Sequence, residues 1–142
     1  MSLKISTTNT PTYDYLSEDG NMTNPATRAV TIDKTGGTKT SSALTLYLVA
    51  SQGGNSNIGG YSGIKIQAQD ADANADGVTW QLSLNGTDWA TYIEPSDMDC
   101  VGADDVTTIY ARISVDNSSG TVAATGNYEA EFEVAATENP PE

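Results

Sequence analysis

The sequence predicts an all-β protein: a two-layer antiparallel sandwich of about seven strands behind an extended N-terminal arm. Three observations predict it. Apolar residues recur at every second position in one segment after another, the period of a strand with one buried face. No segment carries the 3.6-residue apolar period of an amphipathic helix. Turns rich in Gly, Asn, Asp and Ser separate the alternating runs. A chain of 142 residues suits one domain with a core of its own.

Residues 1–27 are polar, broken by Pro11 and Pro25, and show little periodicity, so they are expected to form an arm outside the core. A sandwich is expected over 28–138 and a short tail over 139–142. The first strand runs from Arg28 to Asp33 around Val30 and Ile32. In ALTLYLVA, Leu44, Leu46 and Leu48 share one face, with Thr45, Tyr47 and Val49 on the other. GIKIQA turns Ile64, Ile66 and Ala68 inward. VTWQLSL does the same with Val78, Trp80, Leu82 and Leu84. Asn85-Gly86 reads as a hairpin turn, because both residues tolerate positive φ, and the chain is expected to return through Trp89, Thr91 and Ile93. VTTIYARISV then faces Thr107, Ile109, Ala111, Ile113 and Val115 inward, with Tyr110 and Arg112 outward. The last strand alternates Tyr128, Ala130, Phe132 and Val134 with Glu129, Glu131 and Glu133. That glutamate row predicts a solvated face, with Arg112 pairing across to one of its members. Cys100 reads as a small, partly buried hydrophobe.

Composition narrows the function. The net charge is −13, from 19 acidic against 6 basic residues, which repels nucleic-acid phosphates and anionic membranes. With no histidine, the Ser-His-Asp and Cys-His arrangements and the commonest zinc ligand are missing. The single cysteine forms no internal disulfide. No acid pair is marked for glycosidase chemistry, so a non-enzymatic protein without a required cofactor is expected. The first twenty residues lack the basic start and apolar run of a signal peptide, which predicts synthesis in the cytoplasm.

The strongest candidate for chemistry is D-A-D-A-N-A-D-G at 70–77, where Asp70, Asp72, Asn74 and Asp76 offer hard oxygen ligands for calcium. Counted as an EF-hand loop from Asp72, positions 3, 5 and 6 match as Asn74, Asp76 and Gly77. Position 12 is Ser83, which supplies no bidentate carboxylate, and a strand rather than a helix follows. The competing reading is a hydrated acidic turn. Asp97, Asp99, Asp104 and Asp105 form a second acidic group with the same two readings. Trp89 and Tyr92, with Tyr61 and Tyr110, are the candidates for stacking on a sugar.

The stretch GVTWQLSLNGTDWATYIEP, followed by TTIYARISVDN and GNYEAEFEV, resembles an immunoglobulin-like module. The resemblance covers roughly residues 76–135 and rests on strand and turn pattern, without a Cys-Trp-Cys signature. Modules of this kind occur in virion proteins and in prokaryotic surface proteins. That resemblance, the acidic Thr/Ser-rich composition and the polar arm suggest a virion structural protein, such as a capsid decoration subunit or a head or tail component. Tyr13, Tyr15, Leu16 and Pro25 of the arm would then contact copies of the chain and other virion proteins. The alternative is an extracellular adhesion or carbohydrate-binding module, calcium-assisted, or a subunit of an extracellular filament.

Overall fold

The computed structural model describes residues 3–10, 13–16, 26–33, 39–70, 77–116 and 125–142. Among these residues ten strands and no helix are found: β1 (Leu3–Ser6), β2 (Ala26–Asp33), β3 (Lys39–Thr40), β4 (Leu44–Ala50), β5 (Gly60–Gln69), β6 (Val78–Ser83), β7 (Tyr92–Ile93), β8 (Met98–Asp99), β9 (Asp105–Val115) and β10 (Thr125–Asn139). The additional strands are β1, β3 and β8, and the last two are two-residue pieces paired to a longer neighbour, below what a period of two reveals.

The strands form two antiparallel sheets. In sheet I, β4 lies between β1 and β9, while β9 also pairs β3 and β6. In sheet II, β10 lies between β2 and β5, and β5 also carries β7 and β8. Along the chain, β1 is in sheet I, β2 in sheet II, β3 and β4 in sheet I, β5 in sheet II, β6 in sheet I, β7 and β8 in sheet II, β9 in sheet I and β10 in sheet II. Every step to a new position changes sheet. Among the described residues, therefore, no ladder joins strands that are consecutive in sequence. The immunoglobulin arrangement differs here, because it places the consecutive strands F and G side by side.

The alternating rows meet between the sheets. Leu46, Leu48, Trp80, Leu82, Ile109 and Ile113 face Ile64, Ile66, Ala130, Phe132 and Val134 across one continuous core. The register keeps each row in step: Trp80 is opposite Ile113 and Leu46 opposite Ile109, while Val134 is opposite Ile66. The Trp80 and Phe132 rings meet edge to face, 5.7 Å apart, and join the layers. In the β5–β10 ladder, Gly63 and Ile64 stand opposite Ala136 alone, between the Ser62–Thr137 and Lys65–Ala135 pairs. This is a β-bulge, and Gly63 supplies the positive φ (58°) that it needs.

Four expectations require correction. First, the N-terminal segment is not an arm at residues 3–10 and 13–16. β1 pairs β4 from Leu3–Ala50 to Ser6–Tyr47, and Leu3 and Ile5 are fully buried. The chain then doubles back on itself: Leu16 N donates to Ile5 O, Thr7 N donates to Asp14 O, and Ser6 bridges Tyr15. Buried Ser6 holds the reversal, its hydroxyl donating to Thr8 O at 2.7 Å and accepting from Thr8 N. Second, Asn85-Gly86 makes no two-residue hairpin, although the chain does reverse around it: Leu82 N donates to Ala90 O at 2.7 Å and Ala90 N to Leu82 O at 2.9 Å. Only Gly86 has positive φ (79°), whereas a type I′ turn needs it at both positions. β6 ends at Ser83, Leu84 is 43% exposed, and the chain leaves sheet I to pair as β7 with β5. Third, Arg112 and the glutamate row lie on different sheets, so they form no cross-strand pair. Fourth, 139–142 is no loose tail: Asn139 still pairs Gly60, and Gly59 N donates to Asn139 O at 2.7 Å.

Because β1 supplies core side chains, Ile5→Ala should lower the unfolding free energy by about 2–5 kcal/mol. Lys4→Ala, on the outward side of the same strand, should cost less than about 1 kcal/mol. Urea unfolding of the two variants checks the contrast. A chain beginning at Thr27 should lose its cooperative transition.

Candidate functional site

The structure separates the residues that the sequence grouped. Of the proposed calcium ligands, Asp70 is half-buried at the end of β5, while Asp72, Asn74 and Asp76 lie outside the described residues. Among the described residues no group of three or more acidic or cysteine side chains has a metal-binding arrangement. Trp89 and Tyr92 stand on opposite outer faces. Trp89 covers the Arg112 guanidinium on sheet I, 4.1 Å from ring centre to Cζ, and Arg112 Nε donates to Gln81 Oε1 at 2.8 Å. Tyr92 pairs Gln67 on sheet II and receives Lys65 Nζ 4.4 Å above its ring. The two rings therefore make no joint platform. Tyr61 is fully buried, its hydroxyl donating to Ser51 O, so it offers no stacking face. Tyr110 lies under the 83–88 turn, where a side chain on Gly86 would touch its ring at 3.8 Å.

That turn is fixed by two side chains. Ser83 Oγ accepts from the backbone of Asn85 and Gly86, and Asn85 Oδ1 accepts from Thr87 N and Asp88 N. Asn85 Nδ2 donates to Asp88 Oδ2 at 2.7 Å. Tyr13 and Tyr15 stack 5.8 Å apart, with Lys4 Nζ over the Tyr15 ring at 4.9 Å. With Leu16, which packs on the core, they belong to the folded-back N-terminal segment. Pro25 lies outside the described residues.

Two features escaped the sequence. One is Glu133, only 9% exposed although it belongs to the outward row. Gln67 Nε2 donates to one carboxylate oxygen at 3.1 Å and Gln69 Nε2 to the other at 3.2 Å. Alternation placed Glu133 on the right face, but the glutamines that clamp it come from a strand 64 and 66 residues away.

The other feature is a cleft of about 340 Å³ at one end of sheet II, lined by Gly59 and Gly60, by Met98, Asp99 and Val101, and by residues 139–142. Three remote backbones meet there. Gly59 N donates to Asn139 O, Cys100 N donates to Gly59 O at 3.0 Å, and Asn139 Nδ2 reaches Ser62 Oγ. A side chain at Gly59 would lie 2.5 Å from the Pro141 Cα, and one at Gly60 would strike the Met98 carbonyl. Glycine is needed at both for closeness of approach. Met98 is buried, Val101 is 54% exposed, and Asp99 Oδ1 accepts from Val101 N at 3.0 Å. Cys100 points into the core beside this cleft. Burial, and then the charges of Asp99, Asp104 and Asp105, raise its thiol pKa above the ordinary value.

No protein-family model, no curated protein and no solved structure matches the chain.

Gly59→Ala is expected to lower stability by about 1–3 kcal/mol through overpacking. Amide exchange should then accelerate first at position 59 and at Cys100, whose N–H groups donate across this junction to Asn139 O and Gly59 O. For Cys100 the linkage has a definite sign. A raised folded-state pKa means that the stability from the neutral thiol is fully present below the unfolded value, about 8.5. It is lost as pH rises through the higher folded value. Urea unfolding between pH 7 and 10 should show a steeper alkaline loss for the native chain than for Cys100→Ala.

Proposed function

We propose that the protein is a non-enzymatic structural subunit, displayed in repeated copies on a larger assembly; a virion head or tail, with this chain as a decoration component, is the assembly that best suits it. The observation that supports this reading is the construction of the two outer faces. Their charged and aromatic side chains close on one another: Arg112 on Trp89 and Gln81, Lys65 on Tyr92, and Glu133 between two glutamines. Such pairings leave these side chains largely self-satisfied, which suits a rigid spacer better than a reaction vessel.

The immunoglobulin-like resemblance gives this reading only an analogy at the level of layers. The route of assembly also changes from the one the sequence suggested. Residues 3–6 are paired into their own sheet, so strand exchange through them would have to break buried contacts of Leu3 and Ile5. Contacts with neighbours are therefore assigned to loops and strand ends.

An extracellular binding module is the second reading. Tyr92 favours it, being 46% exposed and held in orientation by Lys65. A glycan array probed with native chain and with Tyr92→Ala separates the two. Binding lost in the variant supports the module.

Sedimentation of the full chain, alone and with particles from its source, tests the structural reading. Self-association or co-sedimentation is expected. A monomer that stays in the supernatant at all concentrations overturns it. Salt identifies the type of contact: association between like-charged copies strengthens as salt screens them, whereas docking on a basic partner weakens.

A further inference from the structure

We propose that the cleft between Gly60, Asp99 and Pro141 is a socket for one basic side chain, lysine or arginine, presented by a partner protein; this rests on the structural-subunit reading above. The lining has the two halves that such a side chain needs. Val101, Pro140 and Pro141 offer exposed apolar surface for an aliphatic stem, and Asp99 and Glu142 offer carboxylates for its charged head. No lysine or arginine lines the cleft to neutralise them. At about 340 Å³ the space lies at the small end of ligand pockets, which run from roughly 300 to 1,000 Å³. That suits a single side chain better than a nucleotide or a cofactor.

The cations whose side chains are described are engaged elsewhere: Lys4 on Tyr15, Lys39 with Asp33 at 3.6 Å, Lys65 on Tyr92 and Arg112 on Trp89. A basic group for the cleft is therefore sought on a partner. The net charge of −13 adds a long-range attraction for a basic partner. The walls are also pre-shaped. Asp99 is oriented by Val101 N, and the strand ends are locked by Gly59 bonds on both sides. Little ordering remains to oppose binding. One such contact is weak by itself, and repetition over many copies makes it effective.

The test is an amide NMR titration of the isolated full chain with end-capped Gly-Gly-Lys-Gly-Gly and Gly-Gly-Arg-Gly-Gly. Gly-Gly-norleucine-Gly-Gly serves as the uncharged stem control. The expected result is millimolar binding of a basic peptide, with shifts centred on Gly59, Gly60, Cys100 and Val101, and weaker binding of norleucine. The double variant Asp99→Asn/Glu142→Gln should bind at least tenfold more weakly. Asparagine keeps the oxygen that accepts from Val101 N, so the loop should survive, and an unchanged amide spectrum elsewhere verifies this. Glu129→Gln/Glu131→Gln removes the same charge from the exposed face of β10 and should change affinity less than twofold. Shifts scattered over the acidic surface, equal weakening by both double variants, or equal binding of norleucine would each overturn the socket. Because the titration uses no particle, a failed socket leaves the sedimentation result standing, and the reverse also holds.

Discussion

The structure depends on one topological constraint: consecutive strand positions alternate between the two sheets, so each strand pairs with segments distant in sequence. β2 pairs β10, β1 pairs β4, and β9 gathers β3, β4 and β6. A ladder closed this way gains nothing from a local turn. The loop-closure entropy must be met before the ladder bonds form. What compensates is the interlayer core, where the inward rows of both sheets share one cluster of buried side chains. The Trp80–Phe132 contact shows the arrangement at one point, bringing β6 of one sheet onto β10 of the other. That fit has a cost: Trp80 Nε1 is buried with no hydrogen-bond partner among the described residues. Packing of the indole outweighs its polar edge.

The same constraint explains which parts of the fold were legible. Period-two alternation is a property of a single strand and its burial, so the inward rows of β4, β5, β6, β9 and β10 could be read directly. Ile64, Ile66, Ile109, Ile113 and Phe132 were all found where alternation puts them. Partnership is a property of two strands and was not legible. Asn85-Gly86 carries the local signature of a hairpin, and the chain does turn back there to bond Leu82 with Ala90, but it then crosses to the other sheet, where Tyr92 and Ile93 pair with β5. Turn chemistry gave the reversal, and tertiary pairing took the strand that follows it. The N-terminal segment failed for a different reason. Leu3 and Ile5 supply only two inward positions, too few to register as a period, although both end fully buried.

The candidate sites were harder to read, since they are made by backbones rather than motifs. Gly59-Gly60 looks like one more flexible loop in SQGGNSNIGG, but its glycines let Pro141 and the Met98 carbonyl approach. Nothing within five residues of Gly59 announces that the end of β10 will arrive there. The acidic stretch at 70–77 has the composition of a metal loop, and of its four oxygen-bearing side chains only Asp70 falls among the described residues. Trp89 and Tyr92 are three residues apart in sequence and face opposite sides of the sandwich.

Charge ties these observations together. A chain with 19 acids and 6 bases cannot neutralise itself, and Lys4, Lys65 and Arg112 are placed on aromatic rings. The rings orient the cations and cover part of the outer faces without cancelling any negative charge. Even Glu133, the carboxylate most shielded on sheet II, is held by neutral amides. Among the described residues every other carboxylate is at least partly exposed. Identical copies then repel at long range and pack side by side only when screened or when a cation stands between them. A basic group arriving from another protein meets attraction over the whole surface, but finds carboxylates beside an apolar wall at the cleft by Asp99 and Val101. Long-range charge can bring the partner close, and the local geometry of the strand ends decides where it stays.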